Sequence, residues 1–227
     1  MSLATERARP ATSRWPLATL GLCALFVLTF TATHGLRPDL DPSWTPISEH
    51  AIGSQGAVMT VAFLALAAAC GTLSMAWRRT LKGWQGVIAR LGLILGFAGF
   101  AVAAIFPGDS VLVSPQATTV AGMVHGAGAV LSDGVPVAAL FAAWAMSRAG
   151  GVQGRHAGLM WLGAGISLSG FVAVVVVMAT FMPANGQLGP EVPIGWAGRY
   201  MMGAHAVWLA IAALVQARIA RSGASLT

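Results

Sequence analysis

The sequence predicts an all-α polytopic membrane protein, a bundle of six transmembrane helices with both termini cytoplasmic. Three observations carry that prediction. Of the 227 residues, 56% are hydrophobic and only 9% are charged, whereas a soluble domain carries roughly 25% charged residues. The apolar residues fall into six runs separated by clusters of Pro, Gly and charge, each about 20 residues or longer and so able to cross a hydrocarbon core of roughly 30 Å. The basic residues sort by side. Arg7, Arg9, Arg14, Arg78, Arg79, Lys82, Arg148, Arg155, Arg218 and Arg221 all fall on one face of that topology, and only Arg37 and Arg199 fall on the other, which makes the basic face cytoplasmic. The net charge of +6 does not indicate nucleic acid, because these charges are scattered between apolar runs and form no basic face.

In chain order, residues 1–14 read as a polar, disordered cytoplasmic tail. The run 15–33 has the charged start of a signal peptide, but it is long for one and Thr31-Ala32-Thr33-His34 makes a weak cleavage site, so it reads as the first span. A polar loop from His34 to Pro46 follows, and Ile47 to Gln55 leads into the second span, 56–77. Ser48 and Glu49 suit a helix start, where a hydroxyl satisfies free amides and a carboxylate meets the positive end of the helix. The third span, 84–106, carries Gly92, Gly96 and Gly99 as a stripe permitting close helix contact. Pro107-Gly108-Asp109 ends it. The fourth span, 118–147, contains His125, Ser132, Asp133 and Pro136 within an otherwise apolar stretch. A glycine-rich connection leads to the fifth span, 158–182, which has no ionisable group, and the sixth covers 195–216 before a cytoplasmic tail, 218–227. The spans together, 15–217, form one membrane domain. Trp15, Trp77, Trp84, Trp144 and Trp161 fall near the basic interface and Trp44 and Trp196 near the other, while Trp208 lies too deep for either belt. Cys23 and Cys70 sit inside apolar runs with no zinc or disulfide spacing and read as packing residues.

Ionisable groups inside spans mark where the protein interior or a water-filled cavity must be. At 1.5 Å per residue, His125 lies roughly 10 Å and Asp133 roughly 22 Å below the start of span four, Arg199 about 6 Å and His205 about 15 Å below the start of span six. His125, Ser132 and Asp133 fall within about 80° of one another around the helix and share one inward face by that count. Pro136 frees the carbonyl near Ser132 as a polar partner or a kink. Asp133 reads either as a proton-carrying or acid-catalytic carboxyl or as a helix tie through a serine. His125 and His205 read as members of a proton relay, as metal or haem ligands, or as helix-bridging hydrogen-bond residues. Arg199 is expected to pair with Glu49 or Asp109. Ser48, Glu49 and His50 are adjacent in sequence and point to different sides, so they do not spell a catalytic triad.

The order of short motifs is similar to a known pattern: Ile47-Ser48-Glu49 before span two, Phe106-Pro107-Gly108-Asp109 ending span three, His125 in span four, and Gly195-x-x-x-Arg199 opening span six. The chain thereby resembles the six-span bacterial membrane family known as domain of unknown function 998. The resemblance implies a six-helix fold and Ser48, Glu49, Asp109, His125 and Arg199 as matching positions; it implies no activity, and it does not extend to Asp133 or His205.

The functional expectation is a multi-pass protein of the cytoplasmic membrane with an outward-facing polar pocket inside the bilayer. That pocket would bind or handle a lipid, isoprenoid or other hydrophobic or amphiphilic small molecule, with Ser48, Glu49, Asp109, Ser132 and Arg199 as binding residues and Asp133, His125 and His205 supplying protons or hydrogen bonds. Two other classes stand beside it. One is an intramembrane enzyme, in which Asp133 initiates a cyclisation or His125, His205 and Asp109 hold a metal-activated water; the other is a haem or quinone electron carrier. The sequence names no cofactor.

Overall fold

The computed structural model describes residues 14–222, and all regular structure among them is helical. Helix α1 (Trp15–Leu36) opens with Pro16 in its first turn, where a missing N–H costs nothing. A 3-10 turn, Ile47–Ala51, precedes α2 (Gly56–Trp77), and α3 (Gly83–Ile105) follows after a short basic loop. The fourth span is two helices, α4 (Val120–Ser132) and α5 (Gly134–Ala149). The one-turn α6 (Gly151–Gly154), α7 (Ala157–Phe181) and α8 (Ile194–Arg221) complete the chain. Counting α4 and α5 together, six segments are long and apolar enough to cross a membrane. The protein is a multi-pass membrane protein.

The expected spans coincide with the helices to within three residues at most ends. The exceptions are informative. Helix α1 runs on through His34 to Leu36, which makes His34 helical where a loop was expected. Helix α8 continues to Arg221 and absorbs the start of the predicted tail, while the rest of both tails, 1–13 and 223–227, lies outside the described residues. The expected cap by Ser48 is not formed. Ser48 belongs to the 3-10 turn, and α2 begins later, after Gln55, with no side-chain cap.

The helices form a ring in which α1 neighbours α2, α2 neighbours α3, α3 neighbours the α4–α5 segment, α5 neighbours α7, α7 neighbours α8, and α8 returns to α1. Helix α2 also touches α8 across the middle. The core between them is built from small residues of α2, α5 and α8, among them Ala62, Ala69, Ala139, Ala142, Ala212 and Ala213, all inaccessible to solvent. Small side chains let backbones approach, and packing at close range is what drives helix association where the surroundings are already apolar. The glycine stripe of α3 makes the tightest approach: a Cβ on Gly92 would lie 2.5 Å from the Gly134 carbonyl oxygen and 2.9 Å from the Ala138 nitrogen. Gly99 sits equally hard against the backbone of Gly128 and Ser132.

That crossing coincides with the break in the fourth span. Pro136 has no N–H to offer the Ser132 carbonyl, and the Asp133 amide bonds back to Val130 O at 3.1 Å, a tightened last turn. The Ser132 hydroxyl donates to Ala129 O at 2.6 Å. Beyond the break the two halves differ in company. Helix α5 packs on both α3 and α7, whereas α4 packs on α3 and leaves a gap towards α7 and α8.

Six of the eight tryptophans are either clearly exposed or fully buried, and Trp44 and Trp144 are intermediate. Trp15, Trp84, Trp161 and Trp196 are exposed on the bundle surface, as interface residues should be. Trp77, expected in that belt, is fully buried and meets Trp208 edge to face with ring centroids 6.0 Å apart. This aromatic pair between α2 and α8 accounts for the deep Trp208.

Candidate functional site

Asp39, Asp41, Glu49, Asp109 and Glu191 lie at one end of the bundle, the acidic end, opposite the Arg78, Arg79 and Lys82 end. Two polar assemblies are built there. The first centres on Arg199, in the second turn of α8 and 8% exposed. Its Nε donates to His34 Nε2 at 2.8 Å, one Nη to His50 Nε2 at 3.0 Å, and the other Nη to the carbonyls of Thr45 at 2.9 Å and Gly195 at 3.0 Å. Gly195 explains its spacing from Arg199: a Cβ there would lie 2.5 Å from Pro42 O and 2.8 Å from Thr45 O. The loop 42–45 therefore lies flat on α8, and the arginine one turn on reaches over it.

Charge balance in this assembly is unusual. No carboxylate contacts the guanidinium among the described residues, and both histidines present a lone pair to it. His34 Nδ1 lies 2.9 Å from Phe30 O, so that nitrogen carries the proton and Nε2 is free to accept. The His34 and His50 rings are 4.9 Å apart. Burial is the largest cause that pushes His50 down to about 4 from 6.5, with the adjacent His34 ring and the Arg199 and Arg37 charges adding to it. The outer acids nearby are occupied locally: Asp39 pairs with Arg37 at 2.8 Å, which holds its carboxyl below the usual range, and Asp41 is lowered by accepting from the Ser43 hydroxyl and amide. The expected partners of Arg199, Glu49 and Asp109, are elsewhere. Neither His34, expected in a loop, nor His50, weighed only as a neighbour of Ser48 and Glu49, is expected at Arg199 from the sequence; their only signal is that an arginine entering a span must find acceptors on the neighbouring helix ends.

Glu49 and Asp109 build the second assembly. Glu49 is buried, and its carboxylate accepts from the Val111 amide and from the Ser110 hydroxyl at 3.3 Å. Asp109 accepts from the Thr119 amide at 2.7 Å and the Thr119 hydroxyl at 2.8 Å, while the same hydroxyl caps α4 by accepting from Gly122 N–H at 3.1 Å. Gln187 donates to Val111 O at 2.6 Å. The two acids thus hold the loop 106–119 over the end of the bundle, and the loop before α8 is tied to it.

Under that loop lie two neighbouring cavities. A polar vestibule of about 260 Å³ is bounded by Ser48, Gly108, Asp109, Ser110, Thr118 and Gln187. An apolar chamber of about 230 Å³ lies between α4 and the α7–α8 pair, bounded by Phe63, Phe100, Ala129, Ser132, Val174, Met201 and Met202. Ser48 and His125 line both cavities. His125 Nδ1 lies 2.9 Å from Phe106 O, so the ring donates there and leaves Nε2, beside Gly108, as its acceptor. Gly108 leaves room for the ring, since a Cβ on it would approach His125 Cδ2 to 3.2 Å.

The remaining expected site residues separate from this pair. His125, Ala129 and Ser132 recur along one face of α4 and line the chamber, whereas Asp133 does not line it and is partly exposed at the α4–α5 junction. The shared inward face expected for all three holds for His125 and Ser132 alone, because the helix breaks at Asp133. His205 is fully buried against α7, with Nδ1 2.9 Å from the Ser167 hydroxyl, and lines neither cavity. It bridges α7 and α8. His125, His205 and Asp109 accordingly form no common metal site, and no cluster of three or more His, Cys, Asp or Glu suited to a metal occurs among the described residues. His125 and His205 line no common cavity.

No curated protein and no solved structure matches the chain. A family model described as Protein of unknown function (DUF998) matches residues 22–215, which takes in both assemblies and all six spans except the first seven residues of α1 and the last six of α8. The chain belongs to that family.

Proposed function

We propose that the protein binds an amphiphilic small molecule, a lipid or isoprenoid, with its polar head in the vestibule and its apolar part in the chamber. The observation that carries this reading is the change of lining at Ser48 and His125. On one side Asp109, Ser110, Thr118 and Gln187 stand among Val111, Val113, Pro115 and Leu188; on the other the walls are phenylalanine, methionine, valine, isoleucine and alanine, with Ser132 the one further polar side chain. Ligand sites are typically concave, mostly apolar and equipped with a few placed polar groups, with volumes of roughly 300–1,000 Å³, and the two cavities together fall in that range. The basic loops at the opposite end argue that the vestibule opens on the outer side of the cytoplasmic membrane.

The test is native mass spectrometry of the full chain released from mild detergent, beside the Ala129→Trp variant. Ala129 lies on the exposed side of α4 and lines the chamber, so an indole there fills the chamber while leaving the helix seams alone. The wild type should retain a copurified amphiphile that the variant lacks at an unchanged melting temperature. Identical lipid complements in the two proteins would refute the reading.

A further inference from the structure

The lining of the vestibule carries information about the head group. Among its lining residues there is no lysine and no arginine. The buried Arg199 is fully engaged with His34, His50 and two carbonyls and lines neither the vestibule nor the chamber. The charges that do face this region are the carboxylates of Asp109 and, behind Ser110 and Val111, Glu49. A phosphate or carboxylate head would enter an acceptor-rich, negatively charged space with no cation to meet it, and like charges at close range are strongly unfavourable where the dielectric is low.

An ammonium head is disfavoured by a different observation. Both acids already accept two protein hydrogen bonds that hold the covering loop: Asp109 from the amide and hydroxyl of Thr119, Glu49 from Ser110 and Val111. An ammonium head would find only the acceptor positions that these roof contacts leave on each carboxylate. The groups without protein partners are neutral. His125 Nε2 is an acceptor, its tautomer fixed by the Phe106 carbonyl, and the Ser48 hydroxyl bonds no protein group among the described residues. A hydroxyl complements both, since it donates to an imidazole nitrogen and accepts from a serine.

The geometry points to an uncharged, hydroxyl-bearing amphiphile, such as a long-chain alcohol or a glycerol monoester, whose hydroxyl donates to His125 Nε2 and accepts from Ser48. This rests on the pocket reading above and narrows it from amphiphiles in general to those with a neutral donor head.

Three probes with the same 18-carbon chain separate the possibilities: 1-oleoylglycerol, oleoyl lysophosphatidic acid and oleylamine, each titrated against the full chain in detergent and read by native mass spectrometry. The glycerol ester should bind at least about tenfold more tightly than either charged probe, the ratio expected for one well-placed buried hydrogen bond. His125→Asn keeps a δ-position donor for the Phe106 carbonyl and removes the ε-position acceptor, so it should weaken the glycerol ester about tenfold and leave the charged probes unchanged. Ser48→Ala is the second, milder variant and should weaken the same probe alone. Equal or tighter binding of the phosphate or the amine, lost in Ala129→Trp, would overturn the head-group assignment and leave the pocket standing. Binding of all three probes that is indifferent to Ala129→Trp would overturn the pocket itself.

Discussion

Acidification should loosen the Arg199 assembly, and the effect can be sized. His50 is held neutral between the Arg199 guanidinium and the His34 ring, with Arg37 adding to the positive field and Asp39 opposing it. In the folded protein its ring takes up a proton only near pH 4, against 6.5 for an ordinary histidine. Because the folded value is the lower one, the neutral ring contributes stability that is complete above about pH 6.5 and declines as the pH falls towards 4. At about 1.4 kcal/mol per pH unit, the loss is at most about 3 kcal/mol below pH 4 and at most about 2 kcal/mol by pH 5. For a chain of this size that corresponds to a drop of at most roughly 4–8 °C in melting temperature between pH 7.5 and pH 5. The assay is thermal unfolding of the purified protein in an uncharged detergent at those two pH values, with His50→Gln as the comparison. Glutamine presents an acceptor to Arg199 without a titrating ring, so the variant should be less stable at pH 7.5 and nearly flat towards pH 5. A wild-type melting temperature that does not fall, or one that falls equally in His50→Gln, would refute the reasoning.

Two further outcomes follow from the packing. Gly92→Val places two methyl groups against the Gly134 carbonyl and the Ala138 nitrogen and should cost about 1–3 kcal/mol in thermal unfolding, whereas Gly165→Val on α7, where nothing lies within 4 Å of the added Cβ, should change stability little. Asp133→Asn should leave amphiphile binding within about twofold, well under the tenfold that one lost hydrogen bond implies, because Asp133 does not line the chamber; loss of binding in that variant would mean the carboxyl acts on the ligand after all.

The span limits were legible because hydropathy and helix length answer to the same constraint, the thickness of an apolar layer. The glycine stripe was legible for a similar reason: Gly92, Gly96 and Gly99 have one use on a membrane helix, and the structure finds α5 and α4 lying on them. Direction was harder. A straight-helix count puts His125, Ser132 and Asp133 on one side, but Pro136 interrupts the ladder at Ser132 and the next residue turns away, so the count fails within a single turn. Partners across the chain were harder still. Charge and depth near the mouth both point Arg199 to the acids, and neither says that Glu49 is engaged by Ser110 and Val111, or that α1 extends to present His34. These depend on how a 3-10 turn and three loops fold over one end, and no periodicity in the sequence reports that.

The gap beside α4 has a consequence for how the chamber is reached. Its walls are α4 on one side and α7 with α8 on the other, and no helix is packed between α4 and α7 at this level. A ligand arriving through such a seam travels sideways within the leaflet and keeps its chain in hydrocarbon throughout. Its supply is then set by its mole fraction among the surrounding lipids, not by its vanishing solubility in water. Modest contacts at Ser48 and His125 would be enough to select it, because the hydrophobic transfer that usually dominates binding has already taken place in the bilayer.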